Sequence, residues 1–330
     1  MNDASLIIHT MLRLSRNLRG IPFPHRLNDV QKAQLTEELC GKISRVLPLS
    51  VLRLSTLNQA QLYSLAEHHI ISPEHARSPH GKAVLKNEQN TFFININCDN
   101  HLELVAFGDS PDLMTTYRQL READELLERL FPYAFDDRLG FLVPSAENIG
   151  TALEASVMLH LPALKENRTL RRMEEYLTRL GFGIRGCYGK PAEAVGAFYR
   201  LSNRLTMGLP EEAVLKNLSA VAMQLARQEA HAENDLVGSE LAEECMRRTG
   251  STMMRLREIS LDDAIVLLSD MRLCGSLEMC NPVPTGLLRQ LLERIQPATL
   301  LNDNLQCMSM QELDARRAEL IRTAIALSAI

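Results

Sequence analysis

Tryptophan is absent, and aromatic residues make up only 5% of the 330-residue chain. That argues against the stacking platforms on which single-stranded nucleic acid is held. Basic charge is not in excess either: 36 Lys and Arg stand against 41 Asp and Glu, a formal net charge of −5. No electrostatic footprint for a nucleic acid follows from such a balance. Paired cysteines are missing as well. Cys40, Cys98, Cys187, Cys245, Cys274, Cys280 and Cys307 are odd in number and scattered. None falls in a C-x-x-C, and Cys274 with Cys280 is too loosely spaced for half a zinc site. The plain inference is a reducing cytosol and no metal centre. No run reaches the ~18–20 apolar residues of a membrane span, and the N-terminus lacks the parts of a secretory signal. A soluble cytoplasmic protein, with no membrane contact, is the expectation.

What is present is hydrophobic mass, at 45% of residues, enough for two cores or one large core with a satellite. The stretch from Asn148 to Pro162 reads as a Gly-containing turn followed by a helix that stops before the proline. Such a helix N-terminus suits an anion, yet Glu154 one turn in repels one. Asp29 is expected to cap a helix reaching about Val46, with Val30, Leu35, Leu39 and Ile43 on one side. Val51–Ser55 reads as a strand and Gln59–His68 as a short helix. A loop containing His75 and His80 follows as far as Gly81. Together with His68 and His69 these histidines fit no ligand spacing, so a solvated loop is expected.

Thr91–Asn97 and His101–Phe107 alternate as strands around a Cys98-Asp99-Asn100 tip. Asp112–Leu130 is a long amphipathic helix, with Leu126 and Leu130 included on its inner face. Leu139–Val143 is expected as a buried strand, and Asn167–Leu180 as a helix closed by Gly181. Phe182–Cys187 and Val195–Leu201 are strands. Beyond Pro210 strand signals nearly vanish, and helices are expected over Glu211–Asn234, Ser239–Thr249, Leu261–Cys274, Thr285–Ile295 and Met310–Leu327. The fold class is α+β: a mostly antiparallel sheet flanked by helices in residues 1–234, then a smaller all-helical domain in 235–330.

Several segments in order carry a resemblance. They include Arg13-Leu14-Ser15-Arg16-Asn17-Leu18 before Phe23-Pro24, Ile71-Ser72-Pro73-Glu74-His75-Ala76, Asn97 to Leu102, and Asn148-Ile149-Gly150-Thr151 through Pro162. Arg185-Gly186-Cys187-Tyr188-Gly189, Leu201-Ser202-Asn203 and Arg316-Arg317-Ala318-Glu319-Leu320 follow. Together they resemble the ATP:guanidino phosphotransferases, and within them the bacterial protein arginine kinases (McsB type). The resemblance implies phosphoryl transfer from Mg-ATP to a guanidinium, a reaction driven by positioning and electrostatics. It also implies a C-terminal domain used for homodimer formation and phosphoarginine binding, and a zinc-finger activator protein as partner.

Matched position by position, the family's S-S-R-x-R falls on His9, Thr10, Met11, Leu12 and Arg13, so its first arginine is Met11. N-E-E-D-H-L-R falls on Asn97 to Glu103, placing the catalytic carboxylate at Asp99 and a nucleotide arginine at Glu103. C-P-T-N reads Ser145-Ala146-Glu147-Asn148, and another nucleotide arginine falls on Glu154. Arg185 is kept, while the glutamate that follows it in the family is Lys190. Arg13 and Arg185 thus survive of five arginines, and two losses reverse charge. Two unit charges ~4 Å apart interact by roughly 4 kcal/mol at an effective dielectric near 20, and reversal turns that attraction into repulsion. The expectation is a pseudokinase with no cofactor, acting as a regulatory or binding protein, with Arg13 and Arg185 paired to Glu103 and Glu154. The alternative is a divergent active kinase that uses Mg-ATP, with Asp99 as base. In the C-terminal segment Asp314, Arg316 and Arg317 mark the phosphoarginine-like pocket, Leu313 replacing a phosphate donor. Ile321 and Ile325 are expected to contribute to a dimer surface.

Overall fold

A computed structural model describes residues 3–190, 193–304 and 308–328; Cys307 lies outside the described residues. The chain divides into two compact units, interleaved along the sequence. One holds residues 10–156 with 203–219; the other holds 1–9, 157–202 and 220–330. Residues 157–202 therefore fall with the C-terminal helices and not with the rest of the expected 1–234 segment.

The first unit is built on β1 (Ile7–Arg16), α1 (Asp29–Ile43), β2 (Ser50–Arg53), α2 (Gln59–Glu67), α3 (Pro73–Arg77), β3 (Ala83–Lys86), β4 (Phe92–Ile96), β5 (Leu102–Gly108) and α4 (Leu113–Leu130). The short strands β6 (Phe135–Asp136) and β7 (Gly140–Phe141) and the start of β8 (Leu153–His160) follow. Strands pair antiparallel in the order β2-β3-β4-β5-β1. Because side chains alternate across a strand, register sorts residues onto two faces. One face carries Met11 and Val105, Phe93 and Val84, and packs on Leu62, Ile70, Ile71 and Ala76 from the α2–α3 region. On the other, α4 packs against β5 and α1 against β3.

Several expectations are corrected here. Asn28, not Asp29, caps α1: its side chain accepts from Gln31 N–H while the Gln31 side chain accepts from Asn28 N–H. The helix ends at Ile43, and Val30 is 67% exposed. Leu126 and Leu130 lie at the rim of the α4 face, 38% and 37% exposed. Leu139 is exposed and β7 covers only Gly140–Phe141, so no buried strand runs over 139–143. The loop before Gly81 contains α3, and His75 within it is buried.

The largest correction concerns residues 153–160, which form strand β8 and not a helix. All of them except Glu154 are buried. Glu154, Ser156 and His160 alternate with Leu153, Ala155, Val157 and Leu159 at strand period, a signal that the helix expectation passed over. The turn before it is real: Gly150 has φ +120°, and a Cβ there would stand 2.3 Å from the Thr206 carbonyl oxygen.

In the second unit the short helix α5 (Pro162–Glu166) follows β8, then α6 (Thr169–Arg179), β9 (Phe182–Gly186), β10 (Gly189–Lys190), β11 (Glu193–Ala194) and β12 (Phe198–Asn203). Its strand order is β8-β12-β9. Helices α7 (Glu211–Leu236), α8 (Glu240–Met254), α9 (Leu261–Ser276), α10 (Thr285–Arg294), α11 (Pro297–Asn304) and α12 (Met310–Ser328) complete it. Helix α9 is the central element, buried at Ala264, Ile265, Leu267, Leu268 and on to Gly275. Ile321 is 0% exposed in the core and Ile325 packs against the same cluster. Ile321 is thus corrected from a dimer surface to a core residue. No helix among the described residues is long and apolar enough to cross a membrane.

Candidate functional site

The face of the sheet that carries Met11 and Arg13 also carries Glu103. The β1–β5 register sets Ser15 opposite Glu103 and Arg13 opposite Val105, and the β4–β5 register sets Asn95 opposite Glu103. Glu103 is 2% exposed. Its carboxylate accepts from Asn95 Nδ2 at 3.3 Å and from Asn100 Nδ2 at 3.2 Å. Arg13 Nη1 lies 4.0 Å from Glu103 Oε2, and Arg13 Nη2 donates to the His69 carbonyl at 3.0 Å. The expected pairing of Arg13 with Glu103 is present, at the long end of ion-pair distance. Met11 is 8% exposed in the hydrophobic cluster with Phe93 and Val105.

Asp99 sits at the β4–β5 tip, its side chain 65% exposed, with His75 Nε2 3.2 Å from Oδ1. Contact with that imidazole, ahead of any other influence, holds the Asp99 carboxyl below the usual carboxylate range. Neighbouring Cys98 is buried, and burial followed by the Glu103 charge pushes its thiol well up. It is an inert thiol, although Lys82 and Arg13 are close enough to act on it. His101 is fixed as a neutral ring: Leu18 N–H donates to Nδ1 at 3.1 Å, while Nε2 faces the Pro22 carbonyl at 3.0 Å and so carries the proton.

Glu154 is the second residue of β8, and Asn148 Nδ2 donates to its Oε1 at 2.5 Å. Asn148 ends a short 3-10 turn over Ala146–Asn148, and Thr206 Oγ1 donates to the Glu147 and Ile149 carbonyls beside it. In the second unit Arg185 is exposed on β9. Lys190 pairs through its backbone with Glu193, and its side chain lies outside the described residues.

The C-terminal candidates separate. Arg317 is 1% exposed and donates to the carbonyls of Ile295 at 2.9 Å and Ile259 at 2.7 Å, and to Asp314 Oδ1 at 2.5 Å. Arg316 pairs with Glu319 at 2.6 Å. Asp314 alone of the three lines a cleft of about 480 Å³, together with Arg248, Arg255, Thr252, Asp263 and Asp270. Arg248 donates to Asp270 Oδ2 at 2.7 Å. Such a wall offers cations, hydroxyls and acids at once, which suits a ligand carrying both signs of charge. Sequence reasoning missed the contact of His75 with Asp99, and missed Asn95, Asn100 and the cleft residues of α8 and α9. The signal for Asn95 was available, since period-2 alternation places it beside Glu103; the cleft had none, because it depends on helix packing.

Residues 31–232 match the family described as ATP:guanido phosphotransferase, C-terminal catalytic domain. Residues 238–329 match the protein-arginine kinase McsB C-terminal domain. The protein-arginine kinase of Halothermothrix orenii is 32% identical over 98% of this chain and 94% of its own. That of Moorella thermoacetica is 34% identical over 98% and 95%. Among solved structures, the duplicated taurocyamine kinase of Schistosoma mansoni with bound transition state analog components superposes with a TM-score of 0.64. The match has 22% identity and covers 79% of this chain and 38% of that one. A lombricine kinase superposes at 0.59, with 20% identity over 69% and 67%. At these identities the structures speak for the fold.

Proposed function

The chain belongs to the ATP:guanido phosphotransferase family, in its protein-arginine kinase branch, and from that we propose that it is a non-catalytic member acting as a regulatory or binding protein in protein-arginine phosphorylation. The observation that carries the reading is Glu103. At a position where the family holds the triphosphate with an arginine, a buried acid accepts from two asparagines and faces Arg13. Glu154 is likewise an acid, engaged by Asn148. Buried charge persists where it is paired and hydrogen-bonded, and Glu103 meets that condition without a ligand. On this reading Mg-ATP is not a ligand, and stress or protein quality control is the setting.

Partners on the same reading are proteins, a zinc-finger activator-like protein among them, and a second copy of the chain bound through the residues 235–330 region. The cleft at Asp314 would accept a guanidinium, with Arg248 and Arg255 as the nearby cations for phosphate; buried Leu313 supplies none. Calorimetry with free phosphoarginine tests this part. No heat, unaltered by Asp314→Ala, removes it.

One observation favours a second reading. Asp99 is exposed and held ionised by His75, as a base toward a guanidinium must be. A divergent active kinase would use Asp99 in that role, with Arg13 and Arg185 on Mg-ATP. Incubation of the pure protein with Mg-ATP and an unfolded arginine-rich substrate separates the two. The expected result is no acid-labile phosphoarginine by mass spectrometry and no change of melting temperature with Mg-ATP. Phosphoarginine above an Asp99→Ala control overturns the non-catalytic reading.

A further inference from the structure

Cys245 on α8 and Cys274 on α9 bring their sulfurs to 3.6 Å. Both side chains are buried, at 4% and 0% exposure, and pack with Leu273, Leu236 and Met246. A third thiol, Cys280, belongs to the same cluster but is only half-buried. Cys245 Sγ also donates to the Asp270 carbonyl at 3.8 Å. A disulfide sits at about 2.05 Å, so the sulfurs need to close by roughly 1.5 Å from their 3.6 Å separation.

We propose that Cys245 and Cys274 form a reversible dithiol–disulfide pair that locks α8 to α9. The chemistry balances with a peroxide as oxidant. The Cys274 thiolate attacks one peroxide oxygen, the O–O bond breaks, and a sulfenic acid forms with release of water. Cys245, having given up its proton, attacks that sulfur; the S–S bond forms and the hydroxyl leaves as a second water. Two thiols are oxidised by two electrons, and one peroxide is reduced to two waters. A small dithiol reductant reverses the step by exchange. At 3.6 Å the second thiol stands beside the oxidised sulfur whichever of the two reacts first. In a reducing compartment such a pair stays open until oxidant rises, which distinguishes it from a structural disulfide.

The bond would be felt at the cleft. Arg248 lies three residues beyond Cys245 on α8 and Asp270 four residues before Cys274 on α9, so the salt bridge that joins the cleft wall is one turn from the two sulfurs. Drawing the helices together at that turn also displaces Cys245 from the Asp270 carbonyl.

Full-length protein treated with hydrogen peroxide, alkylated and digested without reductant provides the test. Peptides bearing Cys245 and Cys274 are expected joined, lighter by two hydrogens than their sum, and separated again by dithiothreitol. The oxidised protein is expected to melt a few degrees higher, with the shift lost on reduction. Cys280→Ser is expected to keep the cross-link, whereas Cys245→Ser and Cys274→Ser abolish it together with the melting shift. The wild-type peptide map decides the matter even where a serine variant fails to fold. Sulfinic or sulfonic acid on either cysteine without the cross-link, both thiols left unreacted, or a cross-link to Cys280 overturns the proposal.

Discussion

Glu103 faces Arg13 diagonally across the β1–β5 ladder, 4.0 Å apart, with Asn95 and Asn100 holding the acid from its other sides. Removing the carboxylate leaves two buried amides and a cation short of their acceptor. Glu103→Ala is expected to destabilise by about 1–3 kcal/mol, the range for a buried polar group left unpaired. Glu103→Arg sets a second cation beside Arg13 and is expected to cost more than the alanine change. Urea unfolding of the two variants checks both the size and the order; an arginine variant as stable as wild type would count against the pairing.

Gly150 cannot be replaced cheaply. Its φ of +120° lies where side chains are strained, and an added Cβ would meet the Thr206 carbonyl oxygen at 2.3 Å. That carbonyl already accepts from Thr151 N–H at 3.0 Å and cannot retreat without breaking the bond. Gly150→Ala is expected to cost at least about 2 kcal/mol from strain alone, read as a fall in the urea midpoint. Gly208→Ala, also at positive φ but with open space around it, is expected to cost less.

How legible the fold was depends on what each segment buries. Residues 92–107 gave their hairpin away because alternation and a polar tip coincide, and α4 did so because one face is wet. Strand β8 carried the same period in Glu154, Ser156 and His160, which the turn-and-helix reading of 148–162 overrode, and β1 reads as mixed because nearly all of it is buried. Helix ends followed side-chain chemistry more finely than composition: Asn28 with Gln31 closes a capping box that Asp29 only imitates. At the site, Met11 and Glu103 drew attention in the sequence, and the structure adds their surroundings: an apolar cluster for Met11, and Arg13, Asn95 and Asn100 for Glu103. His75 was hidden because its partner Asp99 is remote in sequence and reaches it only through the fold.

Glu229 makes stability depend on pH. It is 0% exposed and accepts from Ala163 N–H at 2.6 Å and Leu164 N–H at 2.9 Å. Burial outweighs those two bonds and lifts its carboxyl from 4.5 to about 8. Glu233 nearby is raised too, again chiefly by burial. The folded chain therefore keeps a proton that the unfolded chain has released. The stability that this proton contributes is full below about pH 4.5 and is lost as pH climbs through about 8, by at most ~1.4 kcal/mol per pH unit. Glu229→Gln is expected to flatten that decline between about pH 5 and pH 8 in urea midpoints. An unchanged slope would mean that Glu229 titrates like an exposed acid.

Arg317 ties α12 to the segments that bound the C-terminal cleft. Its guanidinium donates to the Ile295 and Ile259 carbonyls and to Asp314, and none of it reaches solvent to any extent. Arg317→Met conserves length but leaves two buried carbonyls without a donor and Asp314 without its cation. Breaking a buried pair by removing one partner costs about 3–5 kcal/mol, so a variant only just able to fold is expected. The pair is testable by cycle: Asp314→Asn alone removes the charge but leaves the two carbonyl bonds, and is expected to cost less than Arg317→Met. The double variant is expected to be more stable than the sum of the two losses predicts, because the uncompensated carboxylate has gone. Strict additivity would mean that Arg317 serves the carbonyls alone, and that Asp314 is already free to meet a ligand in the cleft.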